Sequence, residues 1–196
     1  MIDLSRSNTE FNKSVYTDLK AFDAYINEQR KKKGNAFLIG GYREERSMYE
    51  RSRLFETKEF PRDLHLGIDI WSDAGTEVNS PIDGTIHSFA YNGEDGDYGA
   101  TIIMSYYLEN VNFFVLYGHL AKADLQYLRK GMAIEKGEIF AHIGEPNENG
   151  NWPPHLHLQV ILDMSNSEGD YPGVCKSSEA YAYVSNSPDP SLLLNS

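Results

Sequence analysis

Two histidines alternate with leucines in the segment His155-Leu156-His157-Leu158. The segment has the composition of a β-strand, and residues two apart in a strand project from the same face. We therefore expect the two imidazoles to lie side by side, which is costly unless hydrogen bonds or a metal ion satisfy both rings. The preceding Trp152-Pro153-Pro154 is expected to stiffen the entry to the strand. Taken alone, a pair of this kind is more often a surface or core pair than a ligand pair.

Another histidine precedes an aspartate by four residues, in His65-Leu66-Gly67-Ile68-Asp69. The small Gly67 lets the backbone turn closely, so that the imidazole and the carboxylate can converge on one ion. With one further histidine they form a three-ligand set that leaves a coordination position open, as in catalytic zinc sites. A closed structural site usually has four protein ligands including cysteines, and Cys175 is the one cysteine of this chain.

His119 follows an apolar segment and Tyr117-Gly118. If catalysis needs an open coordination position, His119 is not a fourth ligand, and an acid–base role or a supporting hydrogen bond is expected instead. Tyr117 is a candidate for lining the cleft, although a tyrosine beside a strand end is more often part of the core. Asn149 and Asn151 either shape the mouth of the cleft or make a turn.

These residues, in this order, resemble the lysostaphin-type zinc endopeptidases, also called peptidoglycan DD-metalloendopeptidases. That family has an H-x-x-x-D motif, then a histidine after a β-hairpin, then H-x-H. The resemblance extends over roughly residues 60–162. The flanking segments that carry it are 69–71, 74–78, 81–86, 98–99, 131–132 and 136–139.

The resemblance implies that Zn²⁺ is bound by His65, Asp69 and His157. It also implies that His155 is the general base and that His119 orients water or stabilises the tetrahedral intermediate. The family usually has His-Leu-His-Phe-Glu where this chain has His-Leu-His-Leu-Gln. Gln159 is expected on the strand face of the two histidines, which would make the floor of the pocket less acidic.

The fold implied by the resemblance is mainly β, an open antiparallel sheet or β-sandwich on a duplicated-hybrid-motif-like scaffold, with an N-terminal helix. Short runs of β-branched and aromatic residues, separated by turn residues, predict strands. The predicted strands are 67–71, 84–91, 100–107, 111–117, 138–143 and 155–162, and 125–129 is a short helix.

An apolar stripe at three- and four-residue steps predicts a helix over residues 7–34, starting at a capping box of Ser7 and Glu10 and stopping at Gly34. The stripe is expected to dock on the main domain or on another chain or partner domain. We divide the chain into an N-terminal helical extension (1–60), a lysostaphin-like peptidase domain (61–165) and an irregular tail (166–196).

The amino-acid composition of the chain argues against some classes of binding partner. The net charge of −11 argues against nucleic acid and against an anionic membrane surface. Hydrophobic segments are too short to span a membrane. The N-terminus has no apolar stretch of a secretory signal, so we expect a cytoplasmic location unless a leader has been removed.

The sequence therefore predicts a zinc metalloendopeptidase that hydrolyses peptidoglycan-type or related peptides. A finer resemblance, carried by segments 41–46, 151–154 and 169–174, is to a branch that occurs as an intracellular domain joined to aminotransferase-like or kinase-like domains, whose substrates need not be cell wall. Three alternatives stay open: a catalytically silent binding module of the same fold, a histidine phosphocarrier, and an assembly subunit.

Overall fold

A seven-stranded antiparallel sheet forms the centre of the protein. This is seen in a computed structural model that describes residues 1–34, 36–57 and 61–195. The strands are β1 (Leu38–Gly40), β2 (Leu64–His65), β3 (Ile68–Trp71), β4 (Glu77–Asn79), β5 (Gly84–Asn92), β6 (Gly99–Leu108), β7 (Val111–Leu120), β8 (Ala133–Ile134), β9 (Ile139–His142), β10 (His155–Ile161) and β11 (Val174–Cys175). The order of strands in the central sheet is β1-β3-β10-β7-β6-β5-β8, while β2 and β11 form one small antiparallel pair and β4 and β9 form another.

The predicted fold class is confirmed: the protein is mainly β, with antiparallel sheets and a few helices. The six predicted strands correspond to β3, β5, β6, β7, β9 and β10. The predicted domain boundary at residue 60 and the last residue of the predicted tail lie outside the described residues.

The two faces of the central sheet belong to different cores. On β10, Leu156, Leu158 and Val160 pack into the larger core together with residues of β6 and β7. The alternate residues, His155, His157 and Gln159, project from the opposite face because side chains alternate along a strand. On that second face, Trp71 and Trp152 pack with the N-terminal helices in another core.

The N-terminal helix is shorter than predicted. One helical turn, α1 (Lys13–Tyr16), precedes the main helix α2 (Leu19–Lys33). The predicted start at Ser7 is wrong, because Asn12 and Asp18 each cap a separate helix: Asn12 accepts from the Ser14 N–H at 3.1 Å and Asp18 from the Ala21 N–H at 2.8 Å. The predicted stop at Gly34 is confirmed, since this residue caps α2 with φ 61°.

The apolar stripe of the N-terminal region docks on the main domain. Phe22 and Ile26 of α2 are buried, and Phe11 packs on Phe22 with ring centroids 4.9 Å apart. Phe22 in turn contacts Trp71, at 5.5 Å between ring centroids. The predicted docking of the stripe on the main domain is therefore found, and contact of the helix with a partner chain or domain stays a prediction.

The C-terminal region is more ordered than the predicted irregular tail. Strand β11 pairs with β2, and 3₁₀ turns at Ser177–Glu179 and Pro190–Asn195 flank a helix, α3 (Ala180–Asn186). The expected helix at 125–129 is a 3₁₀ helix at Lys122–Tyr127. Among the described residues, no helix combines the length and apolar character needed to cross a membrane.

Candidate metal centre

Three buried side chains from three strands converge on one point. His65 ends β2, Asp69 lies in β3, and His157 of β10 is paired directly with Asp69. His65 Nε2 is 3.0 Å from His157 Nδ1, and Asp69 Oδ1 is 3.3 Å and 3.2 Å from these two nitrogens. The three ligand atoms lie within 4.8 Å of one another, as one metal ion requires. The predicted ligand set is therefore brought together.

Gly67 makes this convergence sterically feasible. A Cβ atom at Gly67 would lie 2.7 Å from Cε1 of His157 and 2.6 Å from the carbonyl oxygen of Leu158. Real Cβ atoms do not approach other atoms that closely, so a larger residue would push β10 away from the His65–Asp69 turn.

Hydrogen bonds outside the cluster set the tautomers of His65 and His157. The Nδ1–H of His65 donates to the carbonyl oxygen of Gly41 at 2.9 Å, which leaves the Nε2 lone pair facing the cluster. His157 has the opposite tautomer: its Nε2–H donates to Gln159 Oε1 at 3.1 Å, and its Nδ1 lone pair faces the cluster. The Gln159 amide is itself oriented, because its Nε2 donates to the Pro172 carbonyl at 3.2 Å and to Ser187 Oγ at 3.0 Å.

This arrangement fits a divalent metal ion. Two nitrogen lone pairs and a carboxylate oxygen face each other at about hydrogen-bond distance, and no proton remains between the two nitrogens in these tautomers. A cation between them removes the repulsion. Two imidazoles and one carboxylate, with a side of the cluster facing a cavity, are the donor set of a catalytic zinc site.

A buried arginine holds the far side of Asp69. Arg46 is fully buried, its Nη1 donates to Asp69 Oδ2 at 2.5 Å, and its Nε donates to Glu44 Oε2 at 2.6 Å. Burial opposes ionisation of Asp69, but the charge of the adjacent Arg46 outweighs it and keeps the pKa of Asp69 well below its usual value. Burial likewise opposes the charge of Arg46, and the nearby Asp69 raises the pKa of the guanidinium above its ordinary value.

A β-bulge directs His119 toward the cluster. Ile102 of β6 pairs with Tyr117 and Ala100 pairs with Leu120, so two residues of β7, Gly118 and His119, lie opposite one residue of β6. His119 has φ 63°, in the left-handed region that costs a non-glycine residue about 1–3 kcal/mol. The bulge turns its side chain to the same sheet face as His157, with ring centroids 6.3 Å apart.

His119 and His155 are positioned as a pair beside the His65–Asp69–His157 cluster. Their ring centroids are 4.1 Å apart, and His155 also stacks on Trp71 at 4.1 Å. Each Nδ1–H donates to a backbone carbonyl, from His119 to Asn149 and from His155 to Pro153, both at 2.8 Å. Because a carbonyl can only accept, each ring keeps a basic Nε2, and that of His155 is 3.9 Å from Asp69 Oδ1.

Burial keeps these imidazoles neutral. It lowers the pKa of His155 to about 4, and it lowers the pKa of His65 to about 4 with a further contribution from Arg46. For His119, burial and the neighbouring His155 hold the pKa well below its ordinary value. Neutral rings are the form that binds a metal or accepts a proton near pH 7.

The cluster opens on a cavity of about 140 Å³. The five residues of the cluster, His65, Asp69, His119, His155 and His157, line it. The other lining residues are Met48, Tyr49, Leu54, Phe55, Arg62, Trp152, 96–98 and 170–174. The five residues are between 1% and 6% exposed, so the centre is deeply buried.

The two predicted substrate contacts lie elsewhere. Tyr117 is paired with Leu158 and therefore projects from the sheet face opposite His157; its hydroxyl bonds to that of Tyr106 at 2.8 Å within the larger core. The prediction that Tyr117 lines the cleft is wrong. Asn151 is exposed in a turn with φ 64°, and its side chain donates to Asp95 at 3.0 Å. Asn151 does not line the cavity, and a substrate contact there stays a prediction.

Two features of the centre were not predicted from the sequence. Arg46 lies 19 residues before the first motif, and nothing in its local pattern marks it as buried. Tyr98 lines the cavity, with its ring 5.1 Å from that of His157 and 5.6 Å from that of His119. A sequence signal existed for Tyr98, since Tyr98-Gly99 was one of the segments resembling the lysostaphin-type enzymes.

Comparisons with known proteins agree with this geometry. A protein described as an uncharacterized metalloprotease, from Haemophilus influenzae (strain ATCC 51907 / DSM 11121 / KW20 / Rd), is 30% identical over 99 residues, 50% of this chain and 19% of that protein. This chain thus spans less than a fifth of that relative's length where they match. The catalytic domain of lysostaphin from Staphylococcus simulans superposes with a TM-score of 0.51 at 16% identity, covering 89% of this chain and 98% of that domain, which shows a shared fold.

A match to a protein-family model shows to which family the chain belongs. The model of Peptidase family M23 matches residues 63–168, which include all five residues of the cluster and more than half of the 196-residue chain. The chain therefore belongs to peptidase family M23.

Proposed function

We propose that this chain is a zinc-dependent metalloendopeptidase that hydrolyses peptide bonds in peptidoglycan-type or related peptides. Membership of a peptidase family supports the hydrolysis of peptide bonds. The single observation that carries the metal is the 3.0 Å approach of His65 Nε2 to His157 Nδ1, with the second nitrogen of each ring engaged elsewhere. His65, Asp69 and His157 are the proposed zinc ligands.

Zinc, when bound, supplies Lewis acidity for attack of water on a peptide carbonyl. The roles of the neighbouring residues follow from their tautomers. His155 Nε2 is unprotonated and accepts a proton from the attacking water, and the imidazolium then gives that proton to the leaving amine. His119 Nε2 is also unprotonated, so it accepts a hydrogen bond and orients the water; donation to an oxyanion would require it to be protonated first. Of the two roles implied for His119, orientation of water is the better supported.

The first experiment is metal analysis of the purified protein, the His157→Ala variant and the His142→Ala variant. His142 is a matched control, because it is a partly exposed histidine that faces Asp124 at 3.2 Å and does not line the cavity. We expect about one zinc per chain in the parent and the control, and none in His157→Ala. Zinc retained by His157→Ala would contradict the ligand assignment.

Activity is tested on the same three proteins with a panel of muropeptides and glycyl peptides, read by mass spectrometry. Cleavage by the parent and by His142→Ala, and none by His157→Ala, is the expected result. Stoichiometric zinc with no cleavage of any peptide would instead favour the silent binding module.

A further inference from the structure

One turn supplies both of the backbone carbonyls that bind the rings of His119 and His155. The Nδ1–H of His119 donates to the carbonyl oxygen of Asn149 at 2.8 Å. The Nδ1–H of His155 donates to the carbonyl oxygen of Pro153, also at 2.8 Å. Both acceptors lie in the connection between β9 and β10, and we call residues 144–153 the anchor turn. A movement of the anchor turn therefore acts on both rings at once.

The side chain of Asn149 ties the anchor turn together from inside. Its Oδ1 accepts from the Trp152 N–H at 3.0 Å, and its Nδ2 donates to the Trp152 carbonyl at 3.1 Å and to the Gly144 carbonyl at 3.3 Å. Because an amide side chain has one oxygen and two N–H groups, every polar group of Asn149 is bonded within the turn. The residue is fully buried and does not line the cavity. Of the two interpretations of Asn149 from the sequence, the turn is the one that the structure shows.

The backbone between Asn149 and Trp152 makes these bonds possible. Gly150 and Asn151 both have positive φ, 83° and 64°, and two such residues in succession are typical of a tight chain reversal. The reversal brings both backbone groups of Trp152 to the Asn149 amide. The turn is also packed closely on its neighbour, since a Cβ atom at Gly150 would lie 1.8 Å from the carbonyl oxygen of Asp97.

The beginning of the anchor turn is bonded to the main chain of His119. The Gly144 N–H donates to the carbonyl oxygen of His119 at 2.9 Å, while the Gly144 carbonyl accepts from the Asn149 amide. His119 is therefore held at its main chain by Gly144 and at its ring by Asn149, and the Asn149 side chain connects these two points. The φ of 63° at His119 is a conformation that persists only where the surroundings hold it.

The tautomers of the two rings decide what they can do in hydrolysis. In the proposed function, His155 Nε2 takes a proton from the attacking water and His119 Nε2 accepts a hydrogen bond from it, so both nitrogens must be unprotonated. A ring whose proton has moved from Nδ1 to Nε2 donates at that position and can do neither. A carbonyl oxygen beside Nδ1 opposes the move, because it can only accept. Its effect lasts only while the anchor turn keeps it within hydrogen-bond distance.

We propose that Asn149 is a positioning residue for the hydrolysis, because it holds the anchor turn in the form that fixes His119 and His155 with an unprotonated Nε2. The inference rests on the proposed function and adds to it a residue that lies outside the cavity. Without the Asn149 side chain, the carbonyls of Gly144 and Trp152 lose a partner and the turn is free to shift. Both rings then gain a population with the proton on Nε2.

The first test reads the tautomers directly and needs no substrate. In ¹⁵N NMR spectra of histidine-labelled protein with zinc added, protonated and unprotonated ring nitrogens give separate signals. The signals of the two rings are identified by their loss in His119→Gln and in His155→Gln. We expect only the Nδ1–H form of both rings in the parent and an additional Nε2–H form of both rings in Asn149→Ala. Rings that stay entirely in the Nδ1–H form in Asn149→Ala would overturn the inference.

A milder variant keeps the inference testable if Asn149→Ala does not fold. In Asn149→Ser the hydroxyl can accept from the Trp152 N–H, but its single hydrogen cannot serve the carbonyls of both Trp152 and Gly144. We expect a smaller Nε2–H population than in the alanine variant, again in both rings. Its absence from a folded Asn149→Ser protein would likewise overturn the inference.

Asn8→Ala is the matched control for a general loss of hydrogen bonds. The Asn8 side chain also accepts from one backbone N–H, that of Glu10, and its Nδ2 also donates to two oxygens, the Asp3 carbonyl and the Tyr25 hydroxyl. Asn8 does not line the cavity. We expect both rings to remain in the Nδ1–H form. An Nε2–H population as large as that of Asn149→Ala would mean that any loosening of the protein produces it, and would overturn the role of Asn149.

Kinetics and metal content complete the test. On a peptide that the parent cleaves, Asn149→Ala should lower kcat about tenfold, with KM changed by less than about twofold and about one zinc per chain retained. A loss of zinc, or an effect on KM alone, would overturn the inference. A parent that cleaves no peptide would count against the proposed function, and the tautomers would still show whether Asn149 fixes the two rings.

Discussion

Asp69 Oδ2 accepts a 2.5 Å hydrogen bond from Arg46 Nη1, so the carboxylate is divided between two histidines and a buried cation. Oδ1 faces His65 Nε2 and His157 Nδ1, at 3.3 Å and 3.2 Å. The guanidinium is itself held by Glu44. This chain of bonds fixes the rotation of the Asp69 carboxylate, as outer hydrogen bonds do for carboxylate ligands in metal sites.

Replacing Arg46 should weaken metal binding without touching a ligand. For Arg46→Met we expect zinc affinity to fall by about 10- to 100-fold, measured by competition with a chelating dye. The same change leaves Asp69 and Glu44 without their cation, so the free energy of unfolding should fall by about 3–5 kcal/mol in urea titrations.

Two further variants test whether the effect on zinc affinity comes from the position of the Arg46 donors or from a loss of charge or stability. Arg46→Lys keeps the charge but lacks the fork of donors, so it should fold better and still bind zinc more weakly than the parent. Arg6→Met removes an arginine whose side chain is 49% exposed and pairs with Asp63, and it should leave zinc affinity unchanged. Parent-like zinc affinity in both Arg46 variants would show that Arg46 has no positioning role.

Gln159 should resist replacement by the glutamate usual in the lysostaphin-type enzymes. Its amide N–H groups satisfy the Pro172 carbonyl and Ser187 in a fully buried position, and a carboxylate cannot donate to Pro172. We expect Gln159→Glu to lower the free energy of unfolding by about 1–3 kcal/mol while zinc is retained, since a carboxylate oxygen still accepts from His157 Nε2–H. Gln159→Leu removes that acceptor and should also weaken zinc binding. A Gln159→Glu variant as stable as the parent in urea would disprove this account.

The features that depend on local spacing were predictable. The alternation in His155-Leu156-His157 placed both rings on one face of β10 without knowledge of its neighbours. Gly67 could be recognised as a position of close backbone approach, because the turn between His65 and Asp69 is contained in five residues. The family resemblance then joined these two local motifs, which lie 92 residues apart at His65 and His157.

The features that depend on register or on distant packing were not predictable. Tyr117 faces the core because it pairs with Leu158, and His119 faces the cluster because of the bulge in β7 against β6. A shift of one residue in the strand register would turn each of these side chains to the other face of the sheet. The burial of Arg46 and the position of residues 48–55 beside the cavity arise from packing against Asp69 and Trp152, far away in the sequence.

The start of the N-terminal helix shows a competition between local signals. The apolar stripe predicted continuous helix from residue 7, yet Asn8 accepts from the Glu10 N–H at 3.0 Å and Asn12 from the Ser14 N–H at 3.1 Å. Such side-chain bonds to nearby N–H groups favour turns over helix. The apolar side chain of Phe11 is buried all the same, because a turn can deliver it to the core as well as a helix can.

Replacing His119 should lower the rate of hydrolysis without affecting metal binding. For His119→Ala we expect full zinc occupancy and a loss in kcat/KM of about 100-fold on any peptide that the parent cleaves, because an acceptor for the attacking water is removed. His87→Ala is the control: His87 is a partly buried histidine that contacts Ser88 and Phe114, and both zinc and rate should be unchanged. Loss of zinc in His119→Ala would place this residue among the ligands.

The stability of the metal-free protein should depend on pH through its buried histidines. The pKa values of His65 and His155 are lowered to about 4 in the folded state, chiefly by burial, from an ordinary value of 6.5, and burial lowers that of His119 as well. Between about pH 6.5 and pH 4 the unfolded chain therefore binds more protons than the folded chain. The free energy of unfolding of the protein must therefore decrease as the pH is lowered through that window, by up to about 1.4 kcal/mol per pH unit for each group.

Asp97 acts in the opposite sense, because its pKa is raised to about 6 by burial and neighbouring carboxylates, so between its ordinary value of 3.8 and 6 it offsets part of the loss. Urea titrations in the presence of a chelator at pH 7.5, 6.5, 5.5 and 4.5 measure the net effect of these groups on the free energy of unfolding. We expect little change from pH 7.5 to 6.5 and a progressive loss of stability below that. His119→Gln should show a shallower loss, since one buried imidazole is gone. A flat profile down to pH 4.5 would mean that these histidines gain protons in the folded state as readily as in the unfolded chain.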